Sequence, residues 1–305
     1  MVVVCGEALI DVISNRDGTQ RAAAGGGPFN TARALARLGV PTAFLGRLSQ
    51  DAFGRELAGL LAADGVGLEL ASTGSEPTTI AMAEVDGEGS AEYRFHIEGT
   101  SAPNLTLEMI PEQFGPEVAA LHVGTLGLVL EPMASTLAHV MRREQGQRPI
   151  VLDPNIRPGL VPDREYRERL HTAISQSTIV KASAADLAWL YPGLNHEQAA
   201  DRILGEGVSV AVVTLGAQGA FGAHRDLRIR AGVPHVEVVD TIGAGDAFGA
   251  GLVAWLCDHD LLRTDLTLGP EELRQSLEFA CVVASVTCSR AGADPPTRAD
   301  LQNLQ

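Results

Sequence analysis

Residues 179–214 read IVKASAADLAWLYPGLNHEQAADRILGEGVSVAVVT, with a short apolar run at each end. The runs at 179–181 and 210–214 are rich in β-branched residues and too short for helices, which favours buried strands. Between them, apolar residues recur at helical spacing near 196–204. A strand, a helix and a second strand in this order predict two parallel strands joined by a right-handed crossover.

The same alternation extends over most of the chain. Short β-branched runs keep alternating with segments in which apolar residues have helical spacing. A parallel sheet with helices on both faces satisfies this order, so the sequence predicts the α/β fold class. The further predicted strands are 2–5, 42–45, 119–123 and 150–152, and the further predicted helices lie near 28–38, 51–63, 131–144 and 163–175.

Two stretches interrupt the alternation. Residues 77–98 predict a β-hairpin around a turn at 86–89, and residues 10–25 predict a second ribbon that turns at 15–18. Both are too short to have a core of their own. We therefore expect one small β-sheet that projects from the main domain, either as a lid over a binding site or as two surface hairpins without that role. The main domain then comprises residues 1–9, 26–76 and 99–305.

The composition is that of an ordinary folded chain. Of the 305 residues, 45% are hydrophobic and 20% are charged, and the formal net charge is −15. Nucleic-acid binding requires a field of Lys and Arg, so this charge argues against a nucleic-acid partner. Small phosphorylated ligands remain open, because backbone N–H groups at a helix N-terminus can bind an anion locally.

Three features predict a cytoplasmic protein without a membrane partner. The apolar start of the chain contains Glu7 and Asp11 and lacks a basic segment, which is typical of a buried strand rather than a signal peptide. No stretch reaches the roughly eighteen apolar residues of a membrane helix. The cysteines lie in apolar runs without a CxxC spacing, so we expect buried thiols rather than disulfides. These cysteines are Cys5, Cys257, Cys281 and Cys288.

The stretch at 240–251, DTIGAGDAFGAG, carries the clearest chemical signal. Small turn-forming residues precede a buried helix predicted to start at 247, and free N–H groups at such a start form an anion-binding concavity. Asp246 lies in the same turn. A carboxylate beside a bound anion is unfavourable unless it has a task, such as accepting the proton of a hydroxyl that attacks phosphorus. The alternative is a carboxylate that only complements the helix dipole. The turn residues are Gly243, Ala244 and Gly245.

A second Gly-rich stretch, GGGPFN at 25–30, precedes another predicted helix. Consecutive glycines let a ligand approach the backbone, and the amide of Asn30 can donate hydrogen bonds to hydroxyl groups and accept them. The spacing is not GxGxxG, so a dinucleotide site fits poorly. Asp11 follows the first strand, where ligand contacts gather in open α/β sheets. Asp11 and Asn30 together therefore predict a clamp for sugar hydroxyls.

These motifs resemble, in order and along nearly the whole chain, those of the PfkB (ribokinase-like) carbohydrate kinases. The resemblance implies a ribokinase-like fold, with a central, mostly parallel sheet flanked by helices and a small β-sheet lid. It also implies transfer of the γ-phosphoryl group of ATP to a sugar, with Mg²⁺ and, as a further candidate, K⁺ as cofactors. The matching segments are GEALID at 6–11, GGGPFN at 25–30, LDPNIRP at 152–158, TLGAQGA at 214–220, DTIGAGD at 240–246 and, at the end of a terminal helix, SRAGADPPTR at 289–298.

The resemblance implies roles for individual residues as well. Asp246 would be the catalytic base, and the turn from Gly243 through Ala244 to Gly245 would be the anion hole for the transferring phosphoryl group. The residues that would hold the sugar are Asp11, Gly26, Gly27 and Asn30. The residues that would hold the nucleotide are Lys181, Thr214, Gly216, Gly219 and the helix around Cys281.

The resemblance also implies sites for Mg²⁺ and for a monovalent cation, and each of them involves few side chains. The family often has an Asn-x-x-Glu motif after the strand that ends here at Lys181, whereas this chain has Ser183 and Asp186. The carboxylate is one methylene shorter, so Asp186 would organise Mg²⁺ through water or, alternatively, serve only as a carboxylate at a helix start. Asp240 and Ile242 match the family's monovalent-cation site, which uses mainly backbone carbonyls.

The identity of the sugar depends on the charge of the pocket. GEALID, PTTIAMAEVD and TCSRAGADPPTR resemble the fructokinase branch, whereas the neighbouring 2-keto-3-deoxygluconate kinases bind an acid sugar. Arg94 and Arg157 are the candidate partners of a carboxylate, although Arg157 could contact ATP and Arg94 could be solvated. Because Asp11 and Asp246 make the pocket acidic, fructose is the predicted substrate. The alternatives are a 2-keto-3-deoxygluconate kinase, a sugar sensor without turnover and a dehydrogenase; two subunits could pair through the β-lid.

Overall fold

The computed structural model describes residues 1–14, 20–85 and 91–302, with the side chains of 13–14, 20, 83–85 and 91–94 outside this description. Over these residues the strands are β1 (Val2–Cys5), β2 (Leu9–Ser14), β3 (Gln20–Gly25), β4 (Thr42–Leu45), β5 (Arg47–Ser49), β6 (Ser72–Gly74), β7 (Ile80–Val85), β8 (Ala91–His96), β9 (Ala120–Gly124), β10 (Ile150–Asp153), β11 (Ile179–Ser183), β12 (Val210–Thr214), β13 (Ala220–His224) and β14 (Leu227–Ala231). The α-helices are α1 (Gly27–Arg37), α2 (Ala52–Ala63), α3 (Met133–Glu144), α4 (Asp163–Ser175), α5 (Ala184–Leu190), α6 (His196–Gly205), α7 (Ala244–Asp258), α8 (Pro270–Cys288) and α9 (Arg298–Gln302).

Within the described residues, eight strands form the largest sheet, in the order β14–β13–β12–β11–β10–β9–β1–β4. From β12 to β4 all neighbours are parallel, and β13 and β14 continue the sheet as antiparallel strands. The predicted α/β fold class, with a mostly parallel central sheet, is therefore confirmed. The predicted bounds of β1, β4 and β12 agree to the residue, whereas β5, β6, β13, β14 and α5 were not predicted.

Helices cover both faces of this sheet, so its parallel strands are apolar on both sides. Val3 and Cys5 of β1 belong to the core shared with α3 to α6, and Val2 and Val4 belong to the core shared with α1, α2, α7 and α8. A Cβ on Gly251 of α7 would lie 3.0 Å from the Cα of Ala280 in α8, so the glycine sets how closely these two helices approach.

Strands β3, β2, β7 and β8 form a separate four-stranded sheet. The ribbons β2–β3 and β7–β8 are antiparallel, as predicted, and they are joined by parallel pairing of β2 with β7, in which Ile10 lies opposite Ile80. This sheet confirms the small second sheet of the predicted fold. The predicted turns at 15–18 and 86–89 lie within the segments 15–19 and 86–90, which are outside the described residues.

Helix α8 and the cysteines concern two expectations from the sequence: that no helix spans a membrane, and that the thiols are buried and form no disulfides. The longest described helix, α8, has 19 residues and is interrupted by four charged side chains. Among the residues that the structure describes, no helix has both the length and the apolar character needed to cross a bilayer. All four cysteines have free thiols; Cys5 and Cys281 are buried as expected, whereas Cys257 and Cys288 are half-buried because they lie near the ends of α7 and α8. The segment SRAGADPPTR follows the end of α8 at Cys288 as a loop, with only its last residue in α9.

Candidate active site

A cavity of about 320 Å³ opens at the carboxyl edge of the parallel strands, between the largest sheet and the four-stranded sheet. Ligands of open α/β folds bind at this edge. The cavity brings together most of the predicted sugar and catalytic residues, together with one predicted nucleotide residue and one predicted cation residue. These are Asp11, Gly26, Gly27, Asn30, Arg157, Lys181, Ile242, Gly243, Gly245 and Asp246.

The start of α7 forms one wall of the cavity. The helix begins at Ala244, three residues before the start that the sequence predicts, because Gly243 adopts a left-handed conformation (φ +74°) and caps it. A Cβ on Gly243 would lie 2.7 Å from the Cβ of Ala293, so a glycine is required there on both counts. The first intrahelical bond runs from the N–H of Ala247 to the carbonyl of Gly243. Of the predicted anion hole, Gly243 and Gly245 line the cavity, whereas the N–H of Ala244 donates to the carbonyl of Thr241 (3.3 Å) and Ala244 lies outside the lining.

Asp246 lies in this first turn and is 9% exposed. Its Oδ2 accepts a 2.8 Å hydrogen bond from Nδ2 of Asn30, which belongs to α1. Burial, reinforced by the charge of Asp153 and opposed by the bond from Asn30, raises the pKa of Asp246 to about 7. A general base is most effective when its pKa lies near the operating pH. The carboxylate therefore has both the position and the basicity to accept a proton in the cavity.

The glycines before α1 keep the cavity open. Gly26 precedes the helix with φ +105°, and a Cβ on Gly27 would lie 2.4 Å from Oγ1 of Thr125 and 3.4 Å from Oδ1 of Asp246. Any larger residue at 27 would fill the space beside the carboxylate. On the opposite wall, burial raises the pKa of Asp11 to about 6. The two glycines thus leave room for a ligand between two carboxylates.

Arg157 reaches the cavity from the loop after β10. Its Nη1 donates to the carbonyls of Asn155 (3.3 Å) and Ile156 (3.2 Å), which holds the guanidinium against its own loop. The other candidate arginine, Arg94, pairs through its backbone with Met82 in the four-stranded sheet, and its side chain lies outside the described residues. Arg157 is therefore the candidate carboxylate partner that lines the cavity.

Asp186 organises the loops at this edge. Its Oδ2 accepts hydrogen bonds from the N–H (2.8 Å) and the hydroxyl (2.6 Å) of Ser183, and its Oδ1 accepts one from the N–H of Ile156 (2.8 Å). The hydroxyl of Ser183 in turn caps α5. Both carboxylate oxygens are thus engaged within the chain, and any role in holding Mg²⁺ stays a prediction.

The other predicted nucleotide residues lie outside the lining of this cavity. Thr214 ends β12 opposite Ser183, and a turn follows in which Gly216 (φ +58°) and Gly219 (φ +88°) are left-handed. Cys281 is 1% exposed and packs in the core between α7 and α8, so a contact with adenine would fall to exposed neighbours on α8. These nucleotide assignments stay predictions.

Asp240 fixes the turn that precedes α7. Its Oδ1 accepts a hydrogen bond from the N–H of Ile242 (3.0 Å) and its Oδ2 one from the N–H of Gly292 (2.9 Å). The carboxylate thereby connects the turn to the loop after α8. Across the described ranges, no group of three or more His, Cys, Asp or Glu side chains is arranged to hold a metal ion. The cation role of Asp240 and Ile242 stays a prediction about backbone carbonyls.

The sequence analysis missed two buried acids at this site. Glu7, two residues after the end of β1, lines the cavity with 0% exposure, and neither carboxylate oxygen has a hydrogen-bond partner of good geometry among the described residues. Asp153, which ends β10, is 3% exposed and bonds to Lys181. Both lie inside motifs quoted for the resemblance, GEALID and LDPNIRP, so the signal was a charged residue at the end of a buried strand.

Comparison with known proteins shows a family relationship that extends over nearly the whole chain. The sequence model of the pfkB family carbohydrate kinases matches residues 1–300. A fructokinase of Rhizobium leguminosarum bv. trifolii is 38% identical over 291 residues, which cover 90% of this chain and 88% of that protein.

Solved structures agree with this relationship. The fructokinase of Xylella fastidiosa with bound ATP has a TM-score of 0.90 at 26% identity and covers 99% of this chain and 97% of its own. The fructokinase of Vibrio cholerae O395, in a form with fructose, ADP and calcium ion and as a double mutant with potassium ion, has a TM-score of 0.86 at 26% identity with the same coverage. The chain therefore belongs to the pfkB family of carbohydrate kinases.

Proposed function

We propose that this chain is an ATP-dependent fructose kinase, which transfers the γ-phosphoryl group of ATP to a hydroxyl group of fructose. The observation that carries the proposal is the carboxylate of Asp246, held 2.8 Å from Asn30 in the first turn of α7, where Gly243 and Gly245 line the same cavity. Fructokinases that match nearly the whole chain support fructose as the acceptor.

In the transfer step, the attacking sugar oxygen bonds to the γ-phosphorus while the bond to the β–γ bridging oxygen breaks. That bridging oxygen keeps the electron pair and leaves with ADP. The hydroxyl proton passes to Asp246, whose Oδ2 is held by Asn30 and whose Oδ1 borders the space beside Gly27. The N–H groups of Gly243 and Gly245 stabilise the charge on the phosphoryl oxygens.

The sugar hydroxyls are bound, in this proposal, by Asp11 and Asn30 beside the open backbone of Gly26 and Gly27. An acid sugar would meet two carboxylates, Asp11 and Asp246, in the same cavity. Arg157 offsets that repulsion only in part, because it brings one positive charge against two carboxylates, while the charge of Lys181 is already paired with Asp153. These charges favour neutral fructose over 2-keto-3-deoxygluconate.

A sugar panel tests the proposal. We expect kcat/KM for fructose to exceed that for 2-keto-3-deoxygluconate by about tenfold or more at equal pH and salt, the size of one lost charge-assisted contact. ADP release is the readout. A preference for the acid of the same size would assign the chain to the acid-sugar kinases. Sugar binding without ADP release from any sugar would indicate a sensor, and tight binding of a nicotinamide cofactor would indicate a dehydrogenase.

ATP would lie along the carboxyl edge from Lys181 towards Thr214, Gly216 and Gly219, since β11 and β12 are adjacent there. Mg²⁺ would arrive on the ATP phosphates and neutralise their charge. A carboxylate oxygen suits this hard cation, and because both oxygens of Asp186 already accept hydrogen bonds, Asp186 would act through water. K⁺ would be held by backbone carbonyls near Asp240.

We further propose that the four-stranded sheet, predicted from residues 10–25 and 77–98, is a lid that closes when sugar binds. Asp11 and Phe95 on one face of this sheet line the cavity, so a bound sugar would contact it directly. Closure would exclude water from the transferring phosphoryl group. Amide exchange in both segments should slow on adding fructose, while exchange in α6 (His196–Gly205), which packs against β12 and β13, should not change. Equal exchange with and without saturating fructose would contradict the lid.

The opposite face of the lid suits a second copy of the chain. Val12, Ile80 and Met82 lie there and are half-buried, which leaves apolar surface exposed to solvent. We propose a homodimer through this face, with the oligomeric state in solution as its test. The free thiols of all four cysteines support a reducing compartment, and we assign the activity to the cytoplasm.

A further inference from the structure

The loop that follows α8, residues 292–295, packs against the turn that begins α7. The Cβ of Ala293 lies 2.7 Å from the position that a Cβ on Gly243 would occupy, so the loop lies directly behind the left-handed residue that caps α7. The N–H of Gly292 also donates a 2.9 Å hydrogen bond to Oδ2 of Asp240, just before this turn. The direction of the N–H groups at the start of α7 therefore depends on where the loop lies.

Two arginines of α1 hold this loop in place. Nη1 of Arg37 donates to Oδ1 of Asp294 (2.5 Å) and to the carbonyl of Pro295 (2.8 Å). Nη1 of Arg33 lies 3.5 Å from the carbonyl of Ala293. Arg37 is thus the stronger of the two attachments between α1 and the loop.

Both arginines share one carboxylate. Nε of Arg33 and Nε of Arg37 donate to the two oxygens of Asp64, at the end of α2, over 2.6 and 2.8 Å. The three side chains are 10%, 19% and 12% exposed. A largely buried ion network adds little net stability, because desolvation offsets the attraction between its charges. It does fix geometry, because a planar guanidinium group with several acceptors has one orientation.

The same face of α1 reaches the proposed base. Asn30, Arg33 and Arg37 are spaced i, i+3 and i+7, so their side chains lie on one side of the helix. Asn30 donates to Asp246, and the arginines hold the loop behind Gly243. One helix therefore positions both the carboxylate and the turn at the start of α7.

We propose that Arg37 is a positioning residue for phosphoryl transfer. Through the loop 292–295 it keeps Ala293 packed against Gly243, and this contact keeps the N–H groups of the turn aimed at the transferring group. The inference rests on the proposed kinase function. Arg37 does not line the cavity and takes no part in bond making or proton transfer. Its effect is indirect, because preorganised donors stabilise a transition state only at the correct distance and direction.

The variant Arg37→Met tests this role. Asp64 keeps Arg33 as its partner and the half-exposed Asp294 can be solvated, so the variant should fold. We expect kcat for fructose to fall about tenfold to a hundredfold, because a displacement of about 1 Å can cost that much, with KM for fructose unchanged. Affinity for the β,γ-methylene analogue of ATP should fall about tenfold, whereas affinity for ADP, which lacks the γ-phosphoryl group, should not change.

The matched control is Arg148→Met, which breaks a similar network at the amino edge of the largest sheet. Arg148 is 13% exposed, shares the carboxylate of Glu144 with Arg143 and donates to the carbonyl of Val118 (2.7 Å). Both variants should lower Tm, because each removes a partner from a buried network. Only Arg37→Met should lower kcat and the affinity for the analogue.

Wild-type kcat in Arg37→Met, or a loss of kcat that Arg148→Met matches, would overturn the inference. If wild type phosphorylates no sugar, the proposed function fails and the nucleotide comparison decides: a loss confined to the analogue supports the inference, and any other pattern overturns it. If Arg37→Met does not fold, Ala293→Gly removes only the methyl group that packs against Gly243 and should give the same pattern with smaller losses.

Discussion

Replacing Asp246 with Asn is expected to lower kcat for fructose by about 10²–10⁴-fold, the usual contribution of a general base. The amide is nearly isosteric with the carboxyl group, and its oxygen can still accept the bond that Asn30 donates. It cannot take the hydroxyl proton. The measurement is steady-state ADP release, combined with calorimetry of ATP and fructose binding, whose affinities should stay within about threefold if only the proton transfer is lost.

A loss of folding would not explain this result, because the variant should be more stable than wild type at pH 8. Burial raises the pKa of Asp246 from 3.8 to about 7, so the native state loses stability as the pH rises through this range and the carboxyl group ionises. Asn cannot ionise. The control Asp258→Asn makes the same change at the exposed far end of α7, where Asp258 pairs with Arg298, and should leave kcat unchanged.

Glu7→Gln is expected to stabilise the protein in a pH-dependent way. Burial raises the pKa of Glu7 from 4.5 to about 8, only partly offset by nearby backbone N–H groups, with the charge of Asp246 adding to the shift. A carboxyl group with a raised native pKa stabilises the fold at low pH, and that contribution is lost between pH 4.5 and 8. One pKa unit corresponds to about 1.4 kcal/mol. The free energy of unfolding of Glu7→Gln, measured relative to wild type, should therefore be roughly 2–4 kcal/mol higher at pH 9 than at pH 5.

Urea unfolding of wild type and variant at both pH values measures this gain. The difference between the two proteins gives the contribution of Glu7, including its coupling to Asp246. Glu112→Gln, an exposed substitution, is the control and should leave the unfolding free energy unchanged at either pH. A gain from Glu7→Gln that is the same at pH 5 and pH 9 would show that Glu7 is not held neutral in the native state.

Much of the fold was predictable because its elements are locally encoded. Short apolar runs such as 2–5 and 210–214 have no stable alternative to the interior of a parallel sheet. The start of α7 was harder to predict from the sequence. The left-handed Gly243 that caps it packs against Ala293, which lies in a loop distant in the sequence. Strand β13, AFGAH, was missed because it has no alternation of apolar and polar residues, whereas β14, LRIRA, alternates and its signal was overlooked.

The candidate site was predictable where a residue follows a turn motif. Asp246 and Asn30 were recognised because each lies beside glycines that precede a helix. Asp11 was recognised because it follows β1 in the sequence, although the structure places it within β2. Asp153 and Lys181 were harder, since their contact depends on the register between two neighbouring strands that no local pattern specifies. Glu7 was missed for the same reason: what surrounds its carboxylate is set by α1 and the loop after β9.

The central claim, that Asp246 is the base in phosphorylation of fructose, is tested most directly by a single turnover. Enzyme in excess over ATP, with saturating fructose at pH 8, is quenched on the millisecond scale and the phosphorylated sugar is counted, so that product release does not enter the rate. We predict a rate constant for Asp246→Asn that is lower than that of wild type by about 100-fold or more, with both ligands bound. Rate constants that agree within about threefold, the scatter of a substitution outside the chemistry, would contradict the assignment.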